Sequence, residues 1–230
     1  MKVLIIGDGL LGSELKKLNP TWGVLSRKQN DLDINQSEVW SKTLIDYDVV
    51  VNCIAHTNTY DINKDKHWEV NYKFVDELIK YCNIYDVKLV QISTDYVYAN
   101  SVSNASEDSV PVHHNSWYAY TKLLADGLTQ LKSKNYLLIR CGFKPTPFPY
   151  PVAPSVVLGN FDYVDTIAEM ISTMIQKSYV GLYNVGTELK TMHQLALDTN
   201  HSVLKSDQLP IKDMPTNVSM DLTKLNNSHL

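Results

Sequence analysis

Three side chains in the middle of the chain have the types that proton transfer to a carbonyl needs. Tyr118 and Lys122 stand four residues apart in Tyr118-Ala119-Tyr120-Thr121-Lys122, and Ser93-Thr94-Asp95 closes an apolar run upstream. On a helix, a spacing of four puts Tyr118 and Lys122 on one face. A phenol with a pKa of about 10 is a poor acid–base group near neutrality. A neighbouring ammonium, together with the positive ring of an oxidised nicotinamide, is expected to favour the phenolate. Tyr118 would then protonate a carbonyl oxygen as hydride arrives at its carbon. Thr94 would donate a hydrogen bond to the same oxygen, and Lys122 would also hold the nicotinamide ribose. Tyr120 competes for the role, but its spacing of two from Lys122 puts the pair on different faces. A Tyr-x-x-x-Lys string also arises on ordinary surface helices, so its weight comes from what precedes it.

What precedes it is Gly7-x-Gly9-x-x-Gly12, directly after the apolar run at residues 2–6. In that context Gly7 permits a tight turn, Gly9 keeps side-chain bulk away from a pyrophosphate, and Gly12 lets the following helix pack closely. The amides around Gly9, Leu10 and Leu11, at a helix N-terminus, would receive the phosphates. The second strand end carries Ser26-Arg27-Lys28 where an NAD enzyme usually has Asp or Glu. Arg27 can stack on adenine and pair a 2′-phosphate, with Ser26 adding a hydrogen bond. That pattern points to NADP(H), with NAD(H) left open; the alternative is a solvated basic turn. Asp33 and Ile34 are expected near the adenine edge. Cys53, Ile54 and Ala55, small and apolar at the third strand end, would let the cofactor lie flat, with Cys53 serving packing. Asn71 is expected to brace backbone or a water near Lys122, or else to face solvent.

The elements that must position these residues can be read from hydrophobic periodicity. Strands are predicted at residues 2–6, 22–25, 48–53, 88–92 and 136–140, and helices at 10–18, 36–45, 63–85 and 117–131. Residues 143–151 are Pro-dense and predicted to lack regular structure, as a rigid connector or as a wall of a substrate lobe. A strand at 155–158, a helix at 163–176, a strand at 181–185 and a helix at 192–199 follow. The tail from His201 shows weak pattern. Alternating strands and helices with short connections imply an α/β fold with a parallel sheet covered on both faces. Ligands in such sheets sit beyond the strands' carboxyl ends, where every motif above falls. The expected organisation is a dinucleotide-binding domain over 1–142 and a small lobe over 143–230, with 159–186 partly returning to the main domain.

Composition narrows the partners. The 230 residues carry a net charge of −4, giving no electrostatic footprint for nucleic acid. No apolar run approaches the roughly 18–20 residues of a membrane span. The start leads straight into a strand, so neither a signal peptide nor a membrane is expected and a cytoplasmic location is. The three cysteines are far apart and fit buried thiols in a reducing compartment. Among the seven histidines only His113-His114 are adjacent, without ligand-type partners at metal spacing, so no metal is expected.

Taken in order, the Gly-rich turn, Asn52-Cys53-Ile54-Ala55-His56-Thr57, Ser93-Thr94-Asp95-Tyr96-Val97-Tyr98 and Tyr118-x-x-x-Lys122 resemble the extended short-chain dehydrogenase/reductases. Within that group the chain looks most like the dTDP-4-dehydrorhamnose reductases, which share the Leu32-Asp33-Ile34 stretch. The resemblance runs through residues 1–140 and resumes at 159–165, 181–186 and 219–225. It implies a Rossmann-type doubly wound parallel sheet with a small C-terminal substrate lobe, and Thr94, Tyr118 and Lys122 as the catalytic trio. It also implies NADP(H) and a nucleotide-sugar substrate reduced at a 4-keto group, and leaves a homodimer open. Two departures stand out. The chain is shortened between Arg140 and Gly159, and Met214 precedes Pro215 where the family often has Arg. Alternative readings are an epimerase or dehydratase of the same superfamily, or a non-catalytic NAD(P)-binding regulatory subunit. Dehydratases follow the Thr with Asp-Glu, whereas Asp95 here is followed by Tyr96.

Overall fold

Six short runs rich in β-branched and aliphatic residues form one sheet at the centre of the computed structural model, which describes residues 1–112 and 115–228. They are β1 (Val3–Ile6), β2 (Gly23–Leu25), β3 (Val49–Asn52), β4 (Lys88–Ile92), β5 (Tyr136–Arg140) and β6 (Gly181–Asn184). Their order is β6-β5-β4-β3-β1-β2, and every pairing is parallel. Successive strand residues face opposite sides, and both sides are dry. Val3 and Ile5 join Leu11, Leu15, Ile167 and Ile171 on one face, while Leu4 and Ile6 join Trp40, Phe74, Leu78 and Ala125 on the other.

Helix α1 (Leu10–Leu18) covers the first face. The opposite face is covered by α2, in which Lys64–His67, a π-turn over Trp68–Lys73 and Phe74–Tyr85 run on continuously, and by α3 (Trp117–Lys132). Helix α4 (Val164–Gln176) packs on α1, where Asn19 Nδ2 donates to Ser172 Oγ at 2.9 Å. The expected doubly wound parallel sheet is therefore the fold. No helix among the described residues is long and apolar enough to cross a membrane.

Three segments differ from expectation. The helix predicted at 36–45 is Ser37–Trp40 followed by a 3₁₀ turn, Ser41–Asp46; this tightening leaves both Trp40 and Leu44 buried. The Pro-dense stretch is not wholly irregular. Phe143–Lys144 precede the first proline, keep their N–H groups and pair with Asp162–Tyr163. In place of the strand predicted at 155–158, residues 155–157 link two short strands on either side. Val152–Pro154 pairs with Leu204–Ser206, and Leu158–Gly159 pairs with both Lys190–Thr191 and Asn217–Val218. Between them, Ser155 turns its hydroxyl to the Ser206 carbonyl and to Asp207. The weakly patterned tail thus supplies strands to this second region. Its own core holds Phe148, Ala153, Val157, Phe161, Leu195 and Val218, with α5 (Met192–Thr199) along it.

Candidate functional site

In the order β6-β5-β4-β3-β1-β2 the chain's direction of winding reverses between β1 and β3, and a crevice opens there beyond the strand ends. The glycines following β1 build its floor. Gly7 has φ +100°, a conformation side-chain-bearing residues rarely adopt. At Gly12 an added Cβ would stand 2.0 Å from the Gly7 carbonyl oxygen, so the helix can approach the turn only without one. Gly9 is different: nothing lies within 4 Å of where its Cβ would be, leaving open space beside the free amides that start α1. That cradle fits a pyrophosphate.

From the cradle a groove of about 640 Å³ runs outward past Arg27, Lys28, Asp31, Asp33 and Ile34. Inward, a cavity of about 380 Å³ runs past Leu10 and Leu11 to Thr94, Tyr118 and Lys122. The two share Gly9, Cys53, Ile54 and Ala55. The groove and cavity together are lined by every residue expected to bind cofactor except Gly12 and Ser26. Gly12 serves the packing just described. Ser26 is buried, and its hydroxyl accepts from Gln29 N at 3.2 Å, capping the short helix Arg27–Asn30. That bond uses the hydroxyl as an acceptor and leaves its proton available to a ligand, and the cap presents Arg27 at the groove. Asp33 lines the groove while its carboxylate accepts from Asn35 N and Gln36 Nε2.

At the inner end, Thr94 leaves β4 and its hydroxyl accepts from Tyr96 N, starting a 3₁₀ turn over Asp95–Tyr98. Tyr118 and Lys122 come from the first turns of α3, whose N-cap Ser116 accepts from Ala119 N at 3.1 Å. Lys122 is buried and donates to the Ile92 carbonyl at 2.5 Å. Burial brings its pKa down to about 8, against the opposing pull of Cys141, Asp126 and Cys53. Tyr118 departs from expectation. Its phenol is pushed up by burial; a hydrogen bond with Thr94 pulls it down, and Asp95 and Cys141 push it further up. Lys122 is not among the groups that move it, so without a nicotinamide the phenol keeps its proton. Tyr120 lines neither cavity and packs edge to face on Trp117.

Cys53 behaves as a packing thiol, pushed up to about 12 by burial. Asn71 holds the loop after β3 from the π-turn. Its Oδ1 accepts from His56 N at 2.7 Å and its Nδ2 donates to the His56 carbonyl at 3.2 Å. Of the two roles expected for it, the structure assigns backbone bracing. His113 and His114 lie outside the described residues.

Several further residues line the cavity beyond the catalytic and cofactor-binding positions read from the sequence. Asp95 is buried, accepts from Thr94 Oγ1 at 3.2 Å and is pushed up to about 6 by burial, with Thr94 and Lys144 pulling it down. Lys144, Pro145, Tyr150, Met192, Met214 and Pro215 form the far wall. Pro145 and Tyr150 give the Pro-dense segment a wall-forming role. Lys144 and Lys122 are the cationic residues of that lining, and Met214 stands where an Arg was expected by resemblance.

Solved structures share this architecture. A Sulfolobus tokodaii protein described as a hypothetical dTDP-4-dehydrorhamnose reductase matches with a TM-score of 0.84 at 23% identity, over 99% of this chain and 94% of that one. A dTDP-4-dehydrorhamnose reductase from Clostridium acetobutylicum matches with 0.84 at 20% identity, over 100% and 93%. One from Bacillus anthracis, in complex with NADP, also matches with 0.84 at 20%, over 99% and 93%. At these identities the likeness establishes the fold. No curated protein matches the sequence at a significant level. The sequence is nevertheless matched over residues 1–143, the Gly-rich turn through β5, by one family model, and on that match the chain belongs to the family described as the RmlD substrate binding domain.

Proposed function

We propose that this chain is an NADPH-dependent reductase that converts the keto group of a 4-keto sugar nucleotide to an alcohol. The observation that carries the reading is the convergence of Thr94, Tyr118 and Lys122 on one cavity continuous with the Gly9 cradle. Membership of the family and the likeness to dTDP-4-dehydrorhamnose reductases, one of them in complex with NADP, support the substrate and cofactor.

Gly9, Leu10 and Leu11 would hold the pyrophosphate, Arg27 the 2′-phosphate, and Asp33 and Ile34 the adenine edge. Cys53, Ile54 and Ala55 would form the surface on which the cofactor lies. When bound, reduced nicotinamide supplies hydride to the carbonyl carbon. Tyr118, whose phenol burial pushes up, would donate its proton to the carbonyl oxygen. Thr94 orients that oxygen through its hydroxyl. Lys122 would supply positive charge on the ribose side of the bound cofactor. The carbonyl would thus gain one hydride and one proton, and Tyr118 would be reprotonated from solvent. NAD(H) remains an alternative donor, because Asp31 and Asp33 share the groove with Arg27.

A panel of 4-keto sugar nucleotides, scored by loss of reduced-nicotinamide absorbance, tests the reading. Turnover of at least one member with NADPH is expected. Tight NADPH binding with no oxidation by any member would instead favour a regulatory subunit.

A further inference from the structure

Behind the catalytic tyrosine lies a group of side chains that this chemistry does not use. His56, Asp61 and His67 are the one set of three His or carboxylate donors converging among the described residues, with one ligand-type atom of each within 4.8 Å of the others. His56 Nε2 lies 2.9 Å from Asp61 Oδ2. The rings of His56 and His67 meet edge to face with centroids 4.5 Å apart. His67 is 0% exposed, and its Nε2 has no hydrogen-bond partner. Its Nδ1 faces Asn71 Nδ2 at 3.3 Å, but that nitrogen's two protons are divided among three acceptors: Nδ1, the His56 carbonyl and Thr121 Oγ1. The Asp61 and Asn58 backbone groups act on the ring, yet neither makes a hydrogen bond of normal geometry with Nε2, and buried polar atoms in native proteins are almost always satisfied.

We propose that His56, Asp61 and His67 bind a divalent zinc ion that ties the loop after β3 to the π-turn of α2. Two imidazole nitrogens and one carboxylate oxygen, with a further position for water, form a familiar zinc donor set. Ligands at 2.0–2.1 Å from a tetrahedral ion stand about 3.4 Å apart. The widest separation here therefore has to close by on the order of 1 Å. The loop can supply that movement: His56 and Asp61 are half-buried, whereas His67 is fixed inside the helix. The ion would complete what Asn71 begins, since Asn71 already brackets the His56 backbone from the same helix. The ring of Tyr118 passes 6.4 Å from that of His67, so the clamp stands behind the proton donor. Its role is to fix the loop that lines the cofactor groove.

Untagged, metal-stripped full-length chain titrated with Zn²⁺ in a calorimeter should take up one ion per chain. Co²⁺ should give the visible absorption of a four- or five-coordinate nitrogen–oxygen site. Asp61→Asn and His67→Ala should each weaken zinc binding by at least about 100-fold. The double variant His113→Ala/His114→Ala should bind as the unmodified chain does. Failure of the unmodified chain to take up one ion, full-strength binding in Asp61→Asn, or loss of binding in the His113/His114 variant would each overturn the proposal. Asp61 is half-buried and at a loop position, so its variant decides the matter even if His67→Ala fails to fold.

Discussion

The two walls of the cavity are built on different principles. The cofactor side rests on six strands in one parallel sheet and on contiguous motifs, each a few residues long, at the strand ends. The lobe side is assembled from strands of two or three residues, with Leu158–Gly159 held between segments 190–191 and 217–218. The first wall sets Gly9, Leu10, Leu11, Cys53, Ile54 and Ala55 beside the hydroxyls of Ser93 and Thr94; the second presents Tyr150, Val157, Phe161, Met192 and Met214 beside Lys144. Local backbone chemistry thus defines the half that would meet an invariant cofactor, while long-range packing defines the half that would select a substrate. A shared scaffold can keep the first and vary the second, because loops and short pairings tolerate change better than a buried parallel sheet.

The sharpest way to break this division is at the seam. Tyr118→Phe should lower turnover by about 10²–10⁴-fold while leaving NADPH affinity unchanged in a fluorescence titration. Loss of affinity together with turnover would mean that the tyrosine belongs to the cofactor wall as structure. Further out, Arg27→Ala should reduce the NADPH-over-NADH preference by about 10–100-fold, the scale of one or two charge-assisted hydrogen bonds. Ser26→Ala should instead cost about 1 kcal/mol of stability as a lost cap and move the preference less. Equal shifts in kcat/KM ratios for the two variants would make Ser26 a phosphate ligand in its own right.

How far the sequence reveals each wall follows from the same contrast. Val3–Ile6, Val49–Asn52 and Lys88–Ile92 announce themselves as buried strands because both faces are covered and every residue is apolar or specially paired. The glycines are legible because their roles depend on neighbours within five residues. The roles of Lys144, Tyr150 and Met214 are not legible, because nothing local says that residue 158 pairs with both 191 and 217. Ser26 shows another limit: a hydroxyl at a strand end suits a phosphate or a helix cap equally, and only the turn at Arg27–Asn30 reveals the cap. For Tyr118, spacing identifies the helix face but not its dryness, so the direction of its proton affinity had to come from the fold. Nor does spacing bring His56 and His67 together; the π-turn and the loop do.

Within the cofactor wall, two glycines that look alike in sequence should separate cleanly. Gly12→Ala places a Cβ against the Gly7 carbonyl and should destabilise by about 1–3 kcal/mol through overpacking, read as a lower Tm without ligand. Gly9→Ala meets open space at a backbone conformation alanine accepts, φ −70°. Its Tm should hold or rise slightly, while NADPH affinity falls by about tenfold, or about 1.4 kcal/mol. If Gly9→Ala binds NADPH normally, the pyrophosphate does not pass over that turn.

The effect most confined in pH concerns the boundary between the walls, where Asp95 of the sheet side meets Lys144 of the lobe side. Burial raises the Asp95 carboxyl from 3.8 to about 6 in the folded chain. Between those values the folded state holds more protons than the unfolded one, so this group makes stability fall as pH rises through the window. Below it both states are protonated, and above it both are ionised. Asp95→Asn removes the titration, since a neutral amide resembles the protonated acid. The Tm of the variant minus that of the unmodified chain should therefore climb between about pH 4 and pH 6 and level off beyond, by a free energy of at most about 3 kcal/mol. The slope is the test, not the offset: a packing change at the amide shifts the whole curve without tilting it, whereas the charge interaction with Lys144 exists only where Asp95 is ionised and is already part of the titration. A flat difference would mean that water reaches Asp95, and that the seam between sheet and lobe is open where the structure draws it closed.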